Sequence, residues 1–465
     1  MTILPPEPEG FAATVPVMVI GAGAAGHVAA LAAREAGAEV VMLERDSLPA
    51  GSTALSSGLI PAAGTKAQAA AGVVDSPDRF AADILAKNRG LSDPGLVATL
   101  AATLGPAIDW LSERHGVPLS LVEGPLYPGH SVLRMHATPR RTGAELMGYL
   151  GTAAARAGVE VITDACATAL YADAEGRLHG VRIARPDGSS EAIGCQALIL
   201  ACCGFAGNAE MVTRYIPEMV EAHAFGHPGN KGDGIRWGQE LGAAVRDMGA
   251  YQGHAGIAVP HSILITWALI TEGAIQVNVD GRRFGNEAEG HSERAASILQ
   301  QPGRVAFDIY DEDRHAVGLE FEDYRAALAA GAIRQAEDAA GLAAALGLPA
   351  DALAETLAEV EAMAAGRRAD PFGRDFTTRP ELIPPYFGVR VTGAMFHTQG
   401  GLVVDASARV QRAKGGRFPN LFAAGGTAAG VSGPGAWGYL SGNGLLSAIG
   451  LGRIAGREAS TLIAT

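Results

Sequence analysis

The chain has 465 residues, 48% hydrophobic and 18% charged, enough for two or three domains with a large core. Its 36 basic and 49 acidic residues leave a net charge of −13, which argues against a nucleic-acid partner, because that partner selects a basic face. No run of about eighteen apolar residues occurs, so no membrane span is expected, and Met1 to Phe11 lacks the basic and apolar regions of a signal peptide. The four cysteines, Cys166, Cys195, Cys202 and Cys203, read as small buried hydrophobes, not as a redox pair or metal site. A reducing, cytoplasmic setting fits.

The first strong signal is Val15 to Ile20, an apolar run that predicts a buried parallel strand. Gly21-Ala-Gly-Ala-Ala-Gly26 follows, then an Ala-rich helix over His27 to Ala36, and a second strand over Glu39 to Leu43 that ends on Glu44. Gly21 permits a tight turn, Gly23 lets a pyrophosphate approach the backbone, and Gly26 lets helix and strand pack closely. The helix N-terminus that follows Ala25 offers free N–H groups and the positive end of its dipole to phosphates, with Ala25 beside them as a cofactor contact. Glu44 stands where an acidic side chain accepts hydrogen bonds from an adenosine ribose. The glycines alone are a weak signal; the whole unit, within about thirty residues, is a strong one.

Gly51-Ser-Thr-Ala-Leu-Ser-Ser-Gly58 is rich in glycine and small hydroxyl residues, as backbone close to a ligand requires. Asp75 to Gly116 has a helical pattern, as does Thr142 to Ala157; Val159 to Thr163 and Ala167 to Tyr171 predict strands. A hairpin follows with Asp187-Gly188 at its turn, and a buried strand over Ala197 to Ala201. Gly232-Asp233-Gly234 opens a helix running to Leu241, with Asp233 placed to cap it. A mixed segment from about Tyr251 to Arg374 includes two Ala-rich helices between Asp323 and Ala365. Apolar strands resume around Gly400 and Asn420, and a final helix begins near Ser441. These elements predict an α/β fold: a Rossmann-like nucleotide-binding domain, a parallel sheet with flanking helices, built from residues 1–250 and 376–465 and split by an α+β cap over 251–375.

At this point the chain resembles the flavoproteins related to fumarate reductase and 3-ketosteroid dehydrogenase. The resemblance rests on Gly21 to Gly26 with Glu44, Gly51 to Gly58, Leu200-Ala-Cys-Cys-Gly-Phe205 and Lys231-Gly-Asp-Gly234. It continues through Gly281-Arg-Arg-Phe-Gly-Asn-Glu287, His397-Thr-Gln-Gly-Gly401, Leu421-Phe-Ala-Ala-Gly425 and Ser441-Gly-Asn-Gly-Leu-Leu446. It implies bound FAD, a mobile cap and a redox site shared by cap and flavin domain. No histidine stands near Ser52 to carry a covalent flavin link, so the FAD is expected to be non-covalent. No second dinucleotide fingerprint provides an NAD site. The implied cofactor contacts, beyond the loop and Glu44, are Arg45, Ser52, Ser57, Gly58, Ala167, Gly204, Asp233, Gly425, Gly426, Asn443, Leu445 and Leu446. The helix that starts over Gly442 to Leu445 is placed to point its dipole at charge developing on the flavin ring.

Two positions depart from the fumarate reductases. Those enzymes carry an Arg that grips a substrate carboxylate where this chain has Tyr439. They carry a second, proton-donating Arg five residues after the Asn of Asn-Glu, where this chain has His291. The place of a proton-relaying cap Glu falls near Trp267. The resemblance then turns to the ketosteroid dehydrogenases, in which a Tyr in the first slot donates to the substrate ketone beside a backbone N–H, here of Ser441 or Asn443. A Tyr in the second slot removes the proton next to the ketone. A hydride leaves a saturated carbon only if negative charge builds on its neighbour, and enolisation provides that charge. Tyr439 and a backbone N–H suit the enolate oxygen, and an imidazole at His291 suits general-base work, with Tyr251 as the alternative base. His254 and His397 fall on family positions that contact substrate. Trp267 adds an aromatic wall.

The expected activity is FAD-dependent α,β-dehydrogenation of a cyclic ketone, a 3-ketosteroid or a 4-oxocyclohexanecarboxylate-type ring, with oxygen or a quinone-like compound as external electron acceptor. The alternative is an ene reductase of the fumarate or urocanate reductase type. A flavin-binding structural or sensory protein without turnover is a third reading, disfavoured by the acid–base and oxyanion candidates. No metal is expected.

Overall fold

The computed structural model describes residues 2–7, 10–124 and 126–464; the reading of Met1 to Phe11 therefore lies outside the described residues at positions 1, 8 and 9. The chain forms two compact units, one of residues 1–216, 226–251 and 397–465, the other of residues 217–225 and 252–396.

The first unit is built on a nine-stranded sheet. Its centre is parallel, in the spatial order Glu160–Ile162, Val40–Leu43, Thr14–Ile20, Ser190–Leu200 and Arg417–Ala423. Such strands, covered on both faces, are apolar throughout, and Val17, Met18 and Val19 are wholly buried. Leu200 pairs with both Ile20 and Ala423, and Ile20 with Leu43. The strands therefore end together, and Gly21, Glu44, Ala201 and Ala424 line one edge, the carboxyl edge where α/β folds bind ligands. The Ala24–Glu35 helix follows the Thr14–Ile20 strand. The Asn443–Ile463 helix crosses it through small residues: a Cβ on Gly452 would lie 2.7 Å from the Ala25 carbonyl oxygen, and one on Gly456 would lie 2.0 Å from that of Ala29. That crossing fixes the start of the last helix. The Pro94–His115 helix is long and apolar enough to cross a membrane by length and composition, yet Leu100, Leu104, Ile108 and Leu111 on it belong to the core of this unit.

Local chemistry corrects several expected boundaries. The helical stretch from Asp75 is two helices, Pro77–Lys87 and Pro94–His115, because Asp93 starts a new one by accepting from the N–H groups of Gly95 and Leu96. Asp233 is the first helical residue, not the cap; the capping position belongs to Gly232, whose φ of 75° is left-handed. The two Ala-rich helices of the second unit are three, Glu322–Ala329, Ala339–Leu346 and Ala350–Ala364, with left-handed Gly347 ending the middle one.

The second unit holds a seven-stranded sheet around Tyr386–Thr398. The cap boundary expected at 375/376 lies at 396/397. That strand pairs antiparallel with Ala306–Asp311 and Ile333–Ala336 and parallel with His223–Ala224, so its hydrogen bonds belong to this sheet. Residues 217–225 join the unit for the same reason. Its core gathers Ile275, Phe307, Ile309, Leu353, Leu357 and Val360. Buried in it, Glu287 binds Arg283 at 2.7 Å and Arg374 at 3.1 Å, and Arg283 binds Asp370 at 2.6 Å. A buried carboxylate persists only with partners of this kind.

Candidate active site

The phosphate loop separates two uses of glycine. Gly21 has φ of 102°, and a Cβ there would lie 2.5 Å from the Ala201 carbonyl oxygen; one on Gly26 would lie 1.9 Å from that of Gly21. Packing demands both. Gly23 is different: its φ of −77° suits any residue, and a Cβ there meets nothing nearer than Thr53 Oγ1 at 3.7 Å. Nothing in the protein itself requires a glycine there, and the space a side chain would fill is open for a ligand. The N–H of Ala24 finds Thr53 Oγ1 at 3.2 Å, while those of Ala25 and Gly26 have no partner within the helix, by helix geometry. Glu44 accepts from the N–H groups of Ala22 and Asp46 at 3.0 and 3.1 Å, which aims its carboxylate along the loop and leaves acceptor capacity for a ribose.

The other end of the site is the turn before the last helix. Tyr439 is buried, 5% exposed. Burial pushes its phenol well above the usual range, against the opposing N–H groups of Gly444 and Gly442. The hydroxyl therefore stays protonated, with the positive ends of those two backbone dipoles acting on its oxygen. Of the two candidate backbone donors, the Asn443 N–H is spent on the Leu440 carbonyl at 3.0 Å; among the described residues no partner is found for that of Ser441. Of the two, the Ser441 N–H is the one left available as a backbone donor, and the expectation for the Asn443 N–H is corrected. The Asn443 side chain instead begins a relay. Its Nδ2 donates to Ser432 Oγ at 3.1 Å, Ser432 Oγ donates to Gln399 Oε1 at 2.9 Å, and Gln399 Nε2 donates to His397 Nδ1 at 3.1 Å. His397 then carries its proton on Nε2. Burial, opposed by the Thr398 carbonyl, lowers its pKa to about 4, so it is a neutral donor. Its ring stands edge-on to Tyr439, 5.8 Å between centroids.

In the second unit, the Gly281 to Glu287 stretch serves to place His291. Glu287 is anchored by its two arginines, and Asn286 Oδ1 caps the short turn after it by accepting from Ala288 N at 2.8 Å. Gly290, at φ 126°, reverses the chain, and His291 is the first residue of the His291–Leu299 helix. Its ring is not a solvated loop side chain: it is half-buried, 5.1 Å from the ring of His254 and 6.2 Å from that of Trp267. His254 stacks on Phe396 at 5.4 Å. Its Nδ1 accepts from the Gly256 N–H at 3.1 Å, so its proton sits on Nε2. Burial, and secondarily the charge of His291, hold its pKa well below the ordinary imidazole value. His254 is therefore a fixed neutral donor and no base. Tyr251 is buried at the start of the Tyr251–Ala258 strand.

The chain matches the FAD binding domain family over residues 16–445. It belongs to that family. The flavoprotein is 29% identical to a fumarate reductase (cytochrome) of Shewanella frigidimarina over 449 residues, 96% of this chain and 77% of that one. It is 26% identical to 4-oxocyclohexanecarboxylate 2-dehydrogenase of Sinomonas cyclohexanicum, covering 92% of each. The solved 3-ketosteroid-Δ4-(5α)-dehydrogenase of Rhodococcus jostii RHA1 matches with a TM-score of 0.77 and 26% identity, over 98% of this chain and 99% of that one. The flavoprotein is an FAD-dependent oxidoreductase.

The residues at hand fit FAD. Asn443 Oδ1 and Ser447 Oγ, on the first turns of the last helix, are buried with no hydrogen-bond partner among the described residues, an arrangement that a polar ring edge would satisfy. Leu445 and Leu446 lie on the same turns. Gly425 has φ 60°, and a Cβ on it would lie 3.1 Å from that of Ala25; Gly204 and Gly426 pack backbone to backbone. Gly58 packs against Thr142, Ser57 is exposed, and Ala167 pairs with Ile183 in the sheet. Arg45 and Ser52 are occupied otherwise: Arg45 Nη1 donates to the Gly229 carbonyl at 2.8 Å, and Ser52 Oγ accepts from His227 N at 3.1 Å and Asn230 Nδ2 at 2.7 Å. Both hold the 227–230 loop. Sequence reasoning missed Gln399, Ser432, His130 and Arg134: the His397–Gln399 and His130–Arg134 contacts are close along the chain, but the further partners that give them direction, Ser432, Ser441, Asp75 and Asp83, are distant and carry no local spacing.

Gly23→Val is expected to fold and to purify without FAD, since the new side chain fills only the pyrophosphate space. Flavin absorbance per chain checks this, and a normal FAD content removes Gly23 from the phosphate loop.

Proposed function

We propose that this flavoprotein desaturates a ring ketone between the carbons α and β to its carbonyl, the substrate being a 3-ketosteroid or, better matched to two neutral histidine donors, a ring ketone bearing one carboxylate. The observation that carries the reading is Tyr439. Its protonated, backbone-polarised hydroxyl is a donor suited to a carbonyl oxygen that gains charge, and it stands where a carboxylate-binding Arg would serve a dicarboxylate. Ser441 N–H is the second donor to that oxygen. His291 takes the α-proton, with Tyr251 the alternative base, and the β-hydride leaves as the double bond forms. FAD, when bound, supplies the acceptor for that hydride. An external acceptor, oxygen or a quinone-like compound, completes the cycle. His254 and His397 present Nε2–H groups that suit a substrate carboxylate without carrying charge themselves. The similarity to 4-oxocyclohexanecarboxylate 2-dehydrogenase supports this reading.

A second reading, reduction of an unsaturated acid, is favoured by the similarity to the Shewanella fumarate reductase over 96% of the chain. Anaerobic mixing separates the two. Oxidised holoenzyme is expected to bleach with 4-oxocyclohexanecarboxylate or a 3-ketosteroid. Bleaching by none of a panel of ring ketones, with reoxidation of the reduced enzyme by fumarate or urocanate, overturns the dehydrogenase reading.

A further inference from the structure

The Leu440 to Asn443 segment is a β-turn, closed by the Asn443 N–H on the Leu440 carbonyl at 3.0 Å. Its third residue, Gly442, has φ 89° and ψ −5°, the dihedrals of a type II turn. Types I and II differ by a flip of the central peptide, here Ser441–Gly442, and glycine at this position permits both. The direction of the flip matters. In a trans peptide the carbonyl and the N–H point opposite ways. As found, the Gly442 N–H acts on the Tyr439 hydroxyl against the effect of burial; the flipped peptide would turn the Ser441 carbonyl to that side and replace a donor with an acceptor.

Something holds that carbonyl on the far side. His130 Nε2 lies 3.0 Å from it, and Arg134 Nη1 lies 3.1 Å from His130 Nδ1. A guanidinium only donates, so Nδ1 must accept and the proton must sit on Nε2, the nitrogen that faces Ser441. Arg134 cannot turn away. Its Nε and Nη2 bind the two oxygens of Asp75 at 2.8 and 2.9 Å, its Nη1 binds Asp83 at 2.7 Å, and its plane lies 4.5 Å over the ring of Phe80. Arg134 is 1% exposed and His130 5%.

We propose that His130 is a positioning residue that clamps the Ser441–Gly442 peptide in the donor-forward orientation, with Arg134 dictating its tautomer. The catalytic consequence rests on the ketone reading above: without the clamp, Tyr439 loses the influence of the Gly442 dipole and the Ser441 N–H loses its fixed direction. A misplacement of this order costs about 10²-fold in rate.

The test uses the holoenzyme. In wild type, nitrogen-15 histidine spectra are expected to show one imidazole, absent from His130→Gln, protonated on Nε2 alone; a proton on Nδ1 overturns the proposal. Hydrogen exchange of the peptide spanning 440–446 is expected to quicken in His130→Leu and to return toward wild type in His130→Gln, whose amide can accept from Arg134 and donate to Ser441. Unchanged exchange in His130→Leu, or equal exchange in the two variants, overturns it. Neither readout needs a substrate, so both stand if no ketone reduces the flavin. With an active ketone, His130→Leu should slow single-turnover flavin reduction about 10²-fold with little change in ketone affinity, and should cost little more in a Tyr439→Phe background. Full additivity of the two substitutions would mean that His130 acts elsewhere.

Discussion

Tyr439→Phe is expected to slow flavin reduction by the best ketone on the order of 10²–10³-fold, the cost of removing one donor from a charge that develops in the transition state. FAD should stay bound and the fold should persist. The ring keeps its edge contact with His397, and only the hydroxyl is lost. The effect should appear in the rate of reduction more than in ketone affinity, because the hydrogen bond strengthens as the ketone becomes an enolate. Anaerobic stopped-flow reduction at saturating ketone is the measurement. An unchanged rate removes Tyr439 from the mechanism.

His291→Ala carries the largest expected loss, roughly 10²–10⁴-fold in flavin reduction, the usual contribution of a positioned general base. Alanine is a good helix former at the start of the His291–Leu299 helix, and the anchors of that segment, Glu287 and Gly290, are untouched, so the protein should fold and bind FAD. The sign of the pH dependence follows from the role. A base must be unprotonated to act, so the wild-type rate should fall as acid protonates it. His254 cannot supply that limb, because burial already holds it neutral and its Nδ1 is committed to Gly256. The limb should vanish in His291→Ala. Single-turnover reduction with an α-deuterated ketone separates proton abstraction from any slow conformational step. If His291→Ala reduces its flavin at the wild-type rate with the same profile, the base lies elsewhere; a rate that instead climbs at alkaline pH would point to the phenol of Tyr251.

These predictions draw on two kinds of information. The phosphate loop was legible in the sequence because its physics is local. Strand, glycines, helix and Glu44 sit within about thirty residues, and each glycine's task is set by neighbours a few positions away. Tyr439 and His291 were legible only as departures from a family pattern. Their chemistry depended on what surrounds them, and that is decided by contacts between distant parts of the chain. The cap boundary moved to 396/397 because the Tyr386–Thr398 strand finds its partners at Ala306–Asp311 and Ile333–Ala336, pairings that no local pattern announces. Asn443 looked like a backbone donor until the turn closed on Leu440. His254, Trp267 and His291 come together only when strand, turn and helix are packed. The tautomers of His130, His254 and His397 follow from hydrogen bonds to Arg134, Gly256 and Gln399. Helical and strand periodicity reports which face of an element is apolar. It does not report where a lone pair or a proton points, and in this flavoprotein that direction, set by tertiary hydrogen bonding, separates a donor from a base.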